Sequence, residues 1–386
     1  MQNRKILISG AGIAGCTLAY FLKKRGFSPL IIEKCPFERA GGYKVDIRGA
    51  AIEVVKRMGI YEKLLAANVN LSRSKFILPD GKIFEFDGDF LGLSSEGEIE
   101  VNRWDLIQML TKKIGSPHII YGDFIKKIDG KRVDFDKMDS GEFDIIIGAD
   151  GQFSNVRRLA FGDDSKYLKN FHIQFCVFPI PNIFELDRCE VVYFEKGMLA
   201  TAYAVKNHSY ACLAFKSEDK SLSDKNRKMV FEKRFGSLGW KVPHLISLMN
   251  ESDDCYFNTI AQVRMQRWSK DNVVLVGDAA YSAQGMGTSL AITGAYILAR
   301  ELEKAQGNFP LAFTEYEKAM RKYVEDSQKL AEGESQLFTS SSIKLKLQLY
   351  LMKILPKKCL LYLNEKRRVK MKAVAGSLTL EQDTLN

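Results

Sequence analysis

A glycine-rich turn between a short apolar strand and a helix constrains this chain more than any other sequence feature. Residues 5–9 are an apolar run of strand length, and residues 10–15 follow with the pattern GxGxxG. Residues 16–25 then show helical spacing of apolar side chains, and residues 29–33 form a second apolar run that ends in an acid. This order predicts a βαβ unit of the kind that binds dinucleotides.

Each glycine of the pattern has its own physical role in such a unit. Gly10 permits the tight turn, Gly12 lets the backbone approach a pyrophosphate, and Gly15 lets the helix pack close to the sheet. The helix N-terminus favours the negative charge of the phosphates. Glu33 ends the second strand, where its carboxylate can accept both ribose hydroxyls but disfavours a 2′-phosphate. The residues therefore predict bound FAD or NAD rather than NADP.

Composition excludes several classes of protein. The 386 residues are 46% hydrophobic and 27% charged, which is typical of a globular chain of two or three domains. Seven scattered cysteines without a CxxC pair exclude a disulfide scaffold, and only four histidines are present, so we expect no metal site. The apolar run 6–8 is too short for a signal peptide, and no apolar stretch of about 18 residues could span a membrane. With its free cysteines, the chain is expected in the cytoplasm.

Two later motifs also join a strand to a polar turn. Residues 148–157 contain Asp150-Gly151, and residues 276–280 contain Gly277-Asp278, followed by glycines at the start of a long helix. Asp278 can hydrogen-bond a ribityl hydroxyl, and the N-terminus of that helix can hold a partly anionic flavin oxygen. Taken alone, either motif is better explained as a strand-end aspartate beside turn glycines.

The three motifs occur in the order found in the class A flavin-dependent monooxygenases of the para-hydroxybenzoate hydroxylase type. Residues 4–330 resemble that family. The resemblance implies that the Asp150-Gly151 motif serves both FAD and NADPH, and that the Gly277-Asp278 motif binds the ribityl chain. It also implies that NADPH binds only transiently as the reductant, since the chain has no second GxGxxG. One atom of O2 would be delivered to an electron-rich enol or phenol carbon of a small substrate.

Finer matches point within that family. Residues 41–49 resemble the loop in which Asp46 and Arg48 approach the flavin, and residues 102–106 resemble the helix start whose Arg103 clamps FAD. Arg39 resembles a position that meets the nicotinamide nucleotide. Together with the extra C-terminal helices, these matches are similar to the tetracycline destructases with a bridging C-terminal helix, which inactivate the antibiotic by oxygenation. The expected cofactor-binding residues are Gly10, Gly12, Ala14, Gly15, Glu33, Lys34, Arg39, Asp46, Arg48, Arg103, Asp150, Gly277, Asp278, Gly287 and Thr288.

The expected fold is α/β, with a Rossmann-type FAD-binding domain, a mainly antiparallel substrate domain and C-terminal helices. The FAD-binding domain is predicted at 1–73, 97–170 and 256–330, the substrate domain at 74–96 and 171–255, and the helical segment at 331–386. We expect a monomer. Aromatic and sulfur-containing side chains predicted to line a pocket for a polycyclic substrate are Phe175, Tyr193, Met198, Tyr203 and Phe215.

One departure from the family leaves alternatives open. Where family members carry a His and a Pro-containing stretch, residues 281–284 read Tyr-Ser-Ala-Gln, so the loop beside the flavin is shorter. The chain is therefore also consistent with a flavin hydroxylase of another aromatic or polyketide substrate. From a different class, a non-catalytic flavin-binding or membrane-surface protein also stays open. We name no catalytic side chain, because the flavin carries the chemistry.

The net charge of +10 is concentrated near the C-terminus. Residues 343–373 contain ten basic residues and one acid, whereas residues 1–342 are nearly neutral. This segment is consistent with a solvated helix face above the apolar stripe of Ile343, Leu347, Tyr350, Leu351 and Ile354, with a cap over the substrate site, or with peripheral contact with an anionic membrane. No recognition motif accompanies the charge, so we expect no nucleic-acid partner.

Overall fold

Two sheets of different character carry the fold, which a computed structural model describes over residues 5–37, 43–89, 97–115, 119–205, 208–217, 226–339 and 354–382. In chain order the strands are β1 (Lys5–Ser9), β2 (Ser28–Glu33), β3 (Lys44–Ile47), β4 (Arg73–Ile77), β5 (Ile83–Asp87), β6 (Ile99–Asn102), β7 (Ile119–Tyr121), β8 (Ile125–Asp129), β9 (Arg132–Phe135), β10 (Gly141–Glu142), β11 (Ile145–Gly148), β12 (Leu168–Ile180), β13 (Cys189–Glu195), β14 (Met198–Val205), β15 (His208–Lys216), β16 (Tyr256–Val263), β17 (Ser269–Lys270) and β18 (Val273–Leu275).

The helix predicted at residues 16–25 is observed at residues 13–24. In chain order the helices are α1 (Ile13–Lys24), α2 (Ala50–Arg57), α3 (Tyr61–Ala66), α4 (Arg103–Ile114), α5 (Asn155–Phe161), α6 (Arg227–Phe235), α7 (Val242–Glu251), α8 (Gly287–Lys304), α9 (Phe309–Thr339) and α10 (Lys357–Ala375). Helix α4 starts where it does because the Asn102 side chain accepts a hydrogen bond from the Trp104 amide at 2.8 Å. Most of the predicted apolar stripe, residues 343–351, lies outside the described residues.

The first sheet is the predicted Rossmann-type sheet. Among the described residues its order is β17-β18-β11-β1-β2-β7, and every neighbouring pair is parallel except the β17–β18 edge. Its central strands β1 and β11 are buried and consist almost entirely of isoleucine and leucine, because helices cover both faces. Helix α8 packs against α1 and against α9. These contacts bring helices far apart in sequence into one core.

The second sheet is mostly antiparallel, as predicted. In the described part of the chain its order is β16-β12-β15-β14-β13-β4-β5, and only the β4–β13 pair is parallel. Strand β16 pairs with β12 in this sheet, although residues 256–330 are predicted as part of the FAD-binding domain. Strand pairing therefore moves that boundary from residue 256 to the end of β16. With the C-terminal helices, the two sheets confirm the predicted fold class.

The two faces of the second sheet meet different parts of the molecule. One face packs against α6 and α7, with Cys176, Leu213 and Phe235 in the same apolar cluster. The other face meets the two-stranded sheet of β3 and β6, where the Asn102 side-chain Nδ2 donates a hydrogen bond to the Tyr210 hydroxyl at 3.0 Å. We call this second side the crevice face, because it lies toward the first sheet.

Candidate active site

The three sequence motifs meet at one edge of the first sheet. Strands β1, β11 and β18 are parallel, with β11 between the other two, so their carboxyl ends lie side by side. A Cβ placed on Gly10 would lie 2.5 Å from the Ala149 carbonyl oxygen, and a Cβ placed on Gly277 would lie 2.9 Å from the Ala14 Cβ. The opening glycine turn therefore contacts both later motifs, and the edge forms one crevice.

Within the glycine turn, the three glycines are required for different reasons. Gly10 has φ of 108°, a backbone conformation that side chains other than glycine rarely adopt. A Cβ on Gly15 would lie 2.0 Å from the Gly10 carbonyl oxygen, so the turn and the helix touch there. A Cβ on Gly12, in contrast, would meet nothing within 4 Å. The N-terminus of α1 thus begins beside open space with the room that a pyrophosphate needs.

Glu33 lies at the end of β2, next to the glycine turn. Its carboxylate accepts hydrogen bonds from the backbone amides of Ala11 and Cys35, both at 2.9 Å. These bonds hold the acid at the mouth of the turn, where a ribose bound to a phosphate on α1 would lie. Lys34 is exposed, and its Nζ lies 5.5 Å from the centre of the Phe124 ring. Arg39 lies outside the described residues.

The Asp150 carboxylate is engaged in folding its own turn. It accepts hydrogen bonds from the Ser154 hydroxyl and from the amides of Asn155 at 2.8 Å and Val156 at 3.1 Å. Burial raises the pKa of Asp150, while these donors lower it. The carboxylate therefore caps the start of α5 and sets the shape of the crevice wall.

Arg157 is a site residue that the sequence analysis did not single out. Its side chain is fully buried and donates to the Ala279 carbonyl at 3.0 Å and to the Gln152 carbonyl at 2.7 Å. Asp164 balances its charge through a 2.6 Å ion pair. Arg157 thus ties the Asp150 turn to the segment that carries Asp278. Its position within the quoted 148–157 motif was the available signal.

Asp278 lies beside the start of α8 and the charge of Arg103. Burial raises the pKa of Asp278 to about 6, while Arg103 lowers it. A Cβ on Gly287 would lie 3.4 Å from Asp278 Oδ1, which places the carboxylate against the first turn of α8, where Thr288 follows. The backbone amide of Arg103 donates to the Tyr43 carbonyl at 3.0 Å. Residues far apart in sequence therefore surround one polar pocket.

Arg48 and Asp46 form an ion pair with each other. Arg48 Nη2 lies 3.0 Å from Asp46 Oδ1, and Arg48 Nη1 lies 3.0 Å from Glu98 Oε2, with the arginine side chain fully buried. The Arg48 amide also donates to the Ser289 hydroxyl at 2.9 Å, which joins the end of β3 to α8. Glu98 was not predicted, because nothing in its local sequence marks it.

Aromatic side chains connect this polar pocket to the crevice face of the second sheet. Ring centres lie 5.2 Å apart for Tyr43 and Tyr256, 6.4 Å for Tyr43 and Phe175, and 6.0 Å for Phe175 and Tyr256. The Tyr43 hydroxyl is hydrogen-bonded to Tyr256, whose oxygen also accepts from Asn258 Nδ2 at 2.7 Å. Burial and Tyr256 raise the pKa of Tyr43, so its hydroxyl stays protonated.

Only part of the predicted substrate-contacting set faces the crevice. Phe175 and Tyr203 lie on the crevice face, near Tyr43. Tyr193, Met198 and Phe215 belong to the cluster under α6 and α7, on the opposite face. These three side chains therefore do not face the crevice, and their contact with a substrate stays a prediction. Alternation along a strand sends successive residues to opposite faces, and the sequence alone did not show which face was covered by helices.

The C-terminal helix closes over the same region. A Cβ on Gly49, whose φ is 53°, would lie 1.8 Å from the Ala375 carbonyl oxygen. A Cβ on Gly285 would lie 3.7 Å from the Met371 methyl carbon. Met371 and Ala375 are buried. Helix α10 therefore rests on the loops that precede α2 and α8, at the edge of the crevice.

The described residues also bear on two other kinds of site. No group of three or more His, Cys, Asp or Glu side chains among them is arranged to hold a metal ion. Among the same residues, no helix combines the length and apolarity that crossing a bilayer requires.

Comparison with known proteins places the chain in a family. A family model described as an NAD(P)-binding Rossmann-like domain matches residues 8–52. A flavin-dependent monooxygenase from an unknown prokaryotic organism is 36% identical over 340 residues, covering 85% of this chain and 88% of the relative. A flavin-dependent monooxygenase of Legionella longbeachae is 33% identical over 350 residues, covering 87% and 90%. The crystal structure of tetracycline destructase Tet(51) matches with a TM-score of 0.85 at 31% identity, covering 99% of this chain and 100% of that one.

The chain is a class A FAD-dependent monooxygenase. The predicted family is thereby confirmed, and the non-catalytic alternative is set aside, because this monooxygenase belongs to a family of enzymes. FAD is its cofactor. The crevice fits that cofactor, because Gly12 borders open space, α1 begins there, and Asp278 lies half-buried where the third motif meets the first. Without a bound group the Asp278 carboxylate is costly to ionise, which a polar ligand would relieve.

Proposed function

We propose that this monooxygenase uses NADPH and O2 to hydroxylate and so inactivate tetracycline antibiotics. The observation that carries the proposal is the match to tetracycline destructase Tet(51) over 99% of the chain, which includes the C-terminal helix at the crevice edge. A second destructase structure, Tet(55), matches with a TM-score of 0.82 at 31% identity. Likeness over the whole length argues for a similar substrate site, not only for a similar nucleotide-binding domain.

In this proposal, backbone and side chains at the carboxyl ends of β1, β2 and β18 hold the cofactor. Gly12 and the α1 N-terminus receive the pyrophosphate, Glu33 the adenosine ribose, and Asp278 the ribityl chain. FAD bound there supplies the oxygen-activating chemistry. The other proposed contacts come from Gly10, Ala14, Gly15, Lys34, Arg39, Asp46, Arg48, Arg103, Asp150, Gly277, Gly287 and Thr288. Arg39 is also the proposed contact of NADPH.

The proposed substrate site lies between Asp278 and the crevice face of the second sheet. Tyr43, Phe175 and Tyr256 provide flat apolar surface for a polycyclic ring system, and Tyr203 extends it. The Tyr43 hydroxyl stays protonated, and it can turn its one proton from Tyr256 to an enolate or phenolate oxygen and so orient the substrate. With α10 across its edge, this apolar lining keeps water from the reacting carbon.

Turnover with a defined substrate tests the proposal. The purified protein should be yellow, and adding tetracycline should accelerate NADPH oxidation and O2 uptake while the antibiotic gains the mass of one oxygen atom. The matched control is the same reaction with a tetracycline-free buffer, which measures uncoupled NADPH oxidation. A yellow protein that oxidises NADPH at one rate with and without tetracycline, and yields no oxygenated product, would contradict the substrate assignment.

A second candidate, hydroxylation of another aromatic or polyketide substrate, is favoured by the short loop after Asp278. The Tyr281 hydroxyl is buried 2.6 Å from that of Tyr316, and the Ser282 hydroxyl accepts from the Val263 amide at 2.8 Å. The loop is thus folded into the core and does not shape the substrate site as a longer one would. The chain is also 30% identical to the FAD-dependent monooxygenase asL6 of Sarocladium schorii over 84% of its length. Screening aromatic and polyketide substrates for the same mass gain separates the candidates.

A further inference from the structure

Helix α10 presents a stripe of alternating cationic and apolar side chains away from the protein body. Lys358, Tyr362, Lys366, Val369 and Ala373 are all exposed and follow one another at intervals of four, four, three and four residues. Side chains at these intervals lie on one face of a helix. Leu363 and Lys370 flank the stripe. We call these seven residues the outer face of α10.

The opposite side of α10 anchors it to the enzyme. Asn364, Met371 and Ala375 are buried, and the last two contact the loops at Gly285 and Gly49. The orientation of the helix is therefore set by packing. As a result the large apolar side chains of the outer face stay in water, with Tyr362 64%, Val369 58% and Leu363 51% exposed. Such a concentration of exposed apolar side chains on one helix is typical of an interaction site.

The charge of the outer face is mainly positive. Lys358, Lys366 and Lys370 stand on it, and within the described residues none of the three forms an ion pair with a carboxylate. The acid of α10, Glu365, lies beside Arg368, with Arg368 Nη1 to Glu365 Oε2 at 3.4 Å. The Lys366 ammonium lies 5.8 Å from the centre of the Tyr362 ring. Glu365 lies three residues after Tyr362 and four before Val369, so the lysines border apolar side chains on a surface where they outnumber the one acid of α10.

We propose that the outer face of α10 binds the surface of an anionic phospholipid membrane. Tyr362 and Val369, in the middle of the face, enter the boundary between headgroups and acyl chains. The lysines beside them lay their methylene groups along this apolar surface and reach the phosphate groups with their ammonium groups. Binding of this kind is peripheral, reversible and weakened by salt.

Two other occupants fit the face less well. A second copy of the chain would bring two sets of three lysines together with one acid of α10, Glu365, beside each set to balance them. A nucleic acid would contact the lysines but would leave Tyr362, Leu363 and Val369 without an apolar partner. An anionic bilayer satisfies both the charge and the apolar side chains. The proposal concerns this surface alone and does not depend on the identity of the substrate.

Sedimentation of the full-length, FAD-loaded protein with lipid vesicles tests the proposal. The protein should sediment with vesicles made of equal parts phosphatidylcholine and phosphatidylglycerol, and stay in the supernatant with vesicles of phosphatidylcholine alone. The double variant Lys366→Gln/Lys370→Gln should weaken binding roughly 25-fold, because each lysine near an anionic surface contributes about fivefold. Val369→Asp should weaken it as well, by placing a charge at the apolar centre.

A matched charge variant and two competing binding measurements decide the result. Lys63→Gln/Lys233→Gln removes the same charge from exposed sites on α3 and α6 and should leave vesicle binding within about twofold. Equal loss in both double variants would overturn the proposal, since it would reflect overall charge. Equal binding to both vesicle types, tighter binding to duplex DNA, or a dimer that dissociates with Val369→Asp would also overturn it. Flavin content, measured by absorbance, should stay constant throughout, which separates this test from the test of the proposed function.

Discussion

The nucleotide edge of the first sheet and the crevice face of the second sheet are built by different means. At the edge, backbone meets backbone, as where Gly10 contacts Ala149 and Gly15 contacts Gly10, so an added methyl group already collides. On the crevice face, side chains such as Tyr43 and Tyr256 make the contacts. The edge therefore demands particular residue types at fixed spacing, whereas the crevice face tolerates many aromatic and apolar sets. The comparison explains why a motif identifies the cofactor more readily than the substrate.

The largest loss of stability is expected where one methyl group is added at the nucleotide edge of the first sheet. Gly15→Ala lies inside α1, where propensity alone would stabilise the helix by up to about 1 kcal/mol. The Cβ would instead lie 2.0 Å from the Gly10 carbonyl oxygen, so we expect a loss of about 3 kcal/mol or more. Urea denaturation of the FAD-free protein measures it. The control is Gly333→Ala in α9, where a Cβ meets nothing within 4 Å and stability should not fall.

Substitution at Gly12 should separate folding from cofactor binding. Its φ of −80° suits any residue, and a Cβ there would meet no protein atom within 4 Å. Gly12→Val should therefore fold with nearly unchanged stability of the FAD-free form but should retain no flavin, because the branched side chain occupies the space for the pyrophosphate. The visible spectrum and a thermal melt give the two readouts. A yellow variant, or an unfolded one, would contradict the assignment.

The half-buried carboxylate of Asp278 should make the stability of the FAD-free protein depend on pH. Burial raises its pKa from the ordinary 3.8 to about 6, so the folded FAD-free chain binds more protons than the unfolded chain between those values, and its stability falls as pH rises through them. Asp278→Asn removes that loss and should be more stable than the unmodified FAD-free protein at about pH 7 by roughly 2 kcal/mol. The difference should vanish below about pH 4.

The same Asp278→Asn variant should bind flavin less tightly, since it lacks the carboxylate proposed to accept a ribityl hydroxyl. Flavin released on dilution, followed by fluorescence, measures the loss. If the variant is more stable without FAD but binds FAD less tightly, then Asp278 serves ligand binding at a cost in stability. A variant that loses stability at neutral pH, or retains flavin as well as the unmodified protein does, would exclude this role for Asp278.

The contrast also explains how much the sequence alone could predict. Gly10, Gly12 and Gly15 follow from the chain geometry of a tight turn, and the apolar strands that carry Asp150 and Asp278 order the sheet around them. Long-range partners could not be predicted in the same way. The Arg157 side chain donates to the Ala279 carbonyl 122 residues away, and the Arg48 amide donates to the Ser289 hydroxyl 241 residues away. The local sequence around each arginine does not identify its partner.

The sequence could not show which aromatic side chains lie on the crevice face, for a related reason. Tyr193 and Tyr203 are both aromatic residues in adjacent antiparallel strands, yet they point to opposite faces because of register. Which face is covered depends on α6 and α7, which follow later in the chain. Alternation predicts two sets of residues, and only the packing of distant helices shows which set faces the crevice.

The smallest effect is expected from removing one tyrosine hydroxyl on either face of the second sheet. Tyr43→Phe keeps the ring against Phe175 but removes the hydrogen bond to Tyr256 and the donor proposed for the substrate. We expect about a tenfold rise in KM and more NADPH consumed per product formed, with flavin content unchanged. The control, Tyr193→Phe, loses the 2.6 Å hydrogen bond to Glu195 on the helix-covered face and should alter stability by about 1 kcal/mol without changing KM. Coupling measured as oxygenated product per NADPH distinguishes the two, and equal effects would mean that substrate contacts are not confined to the crevice face.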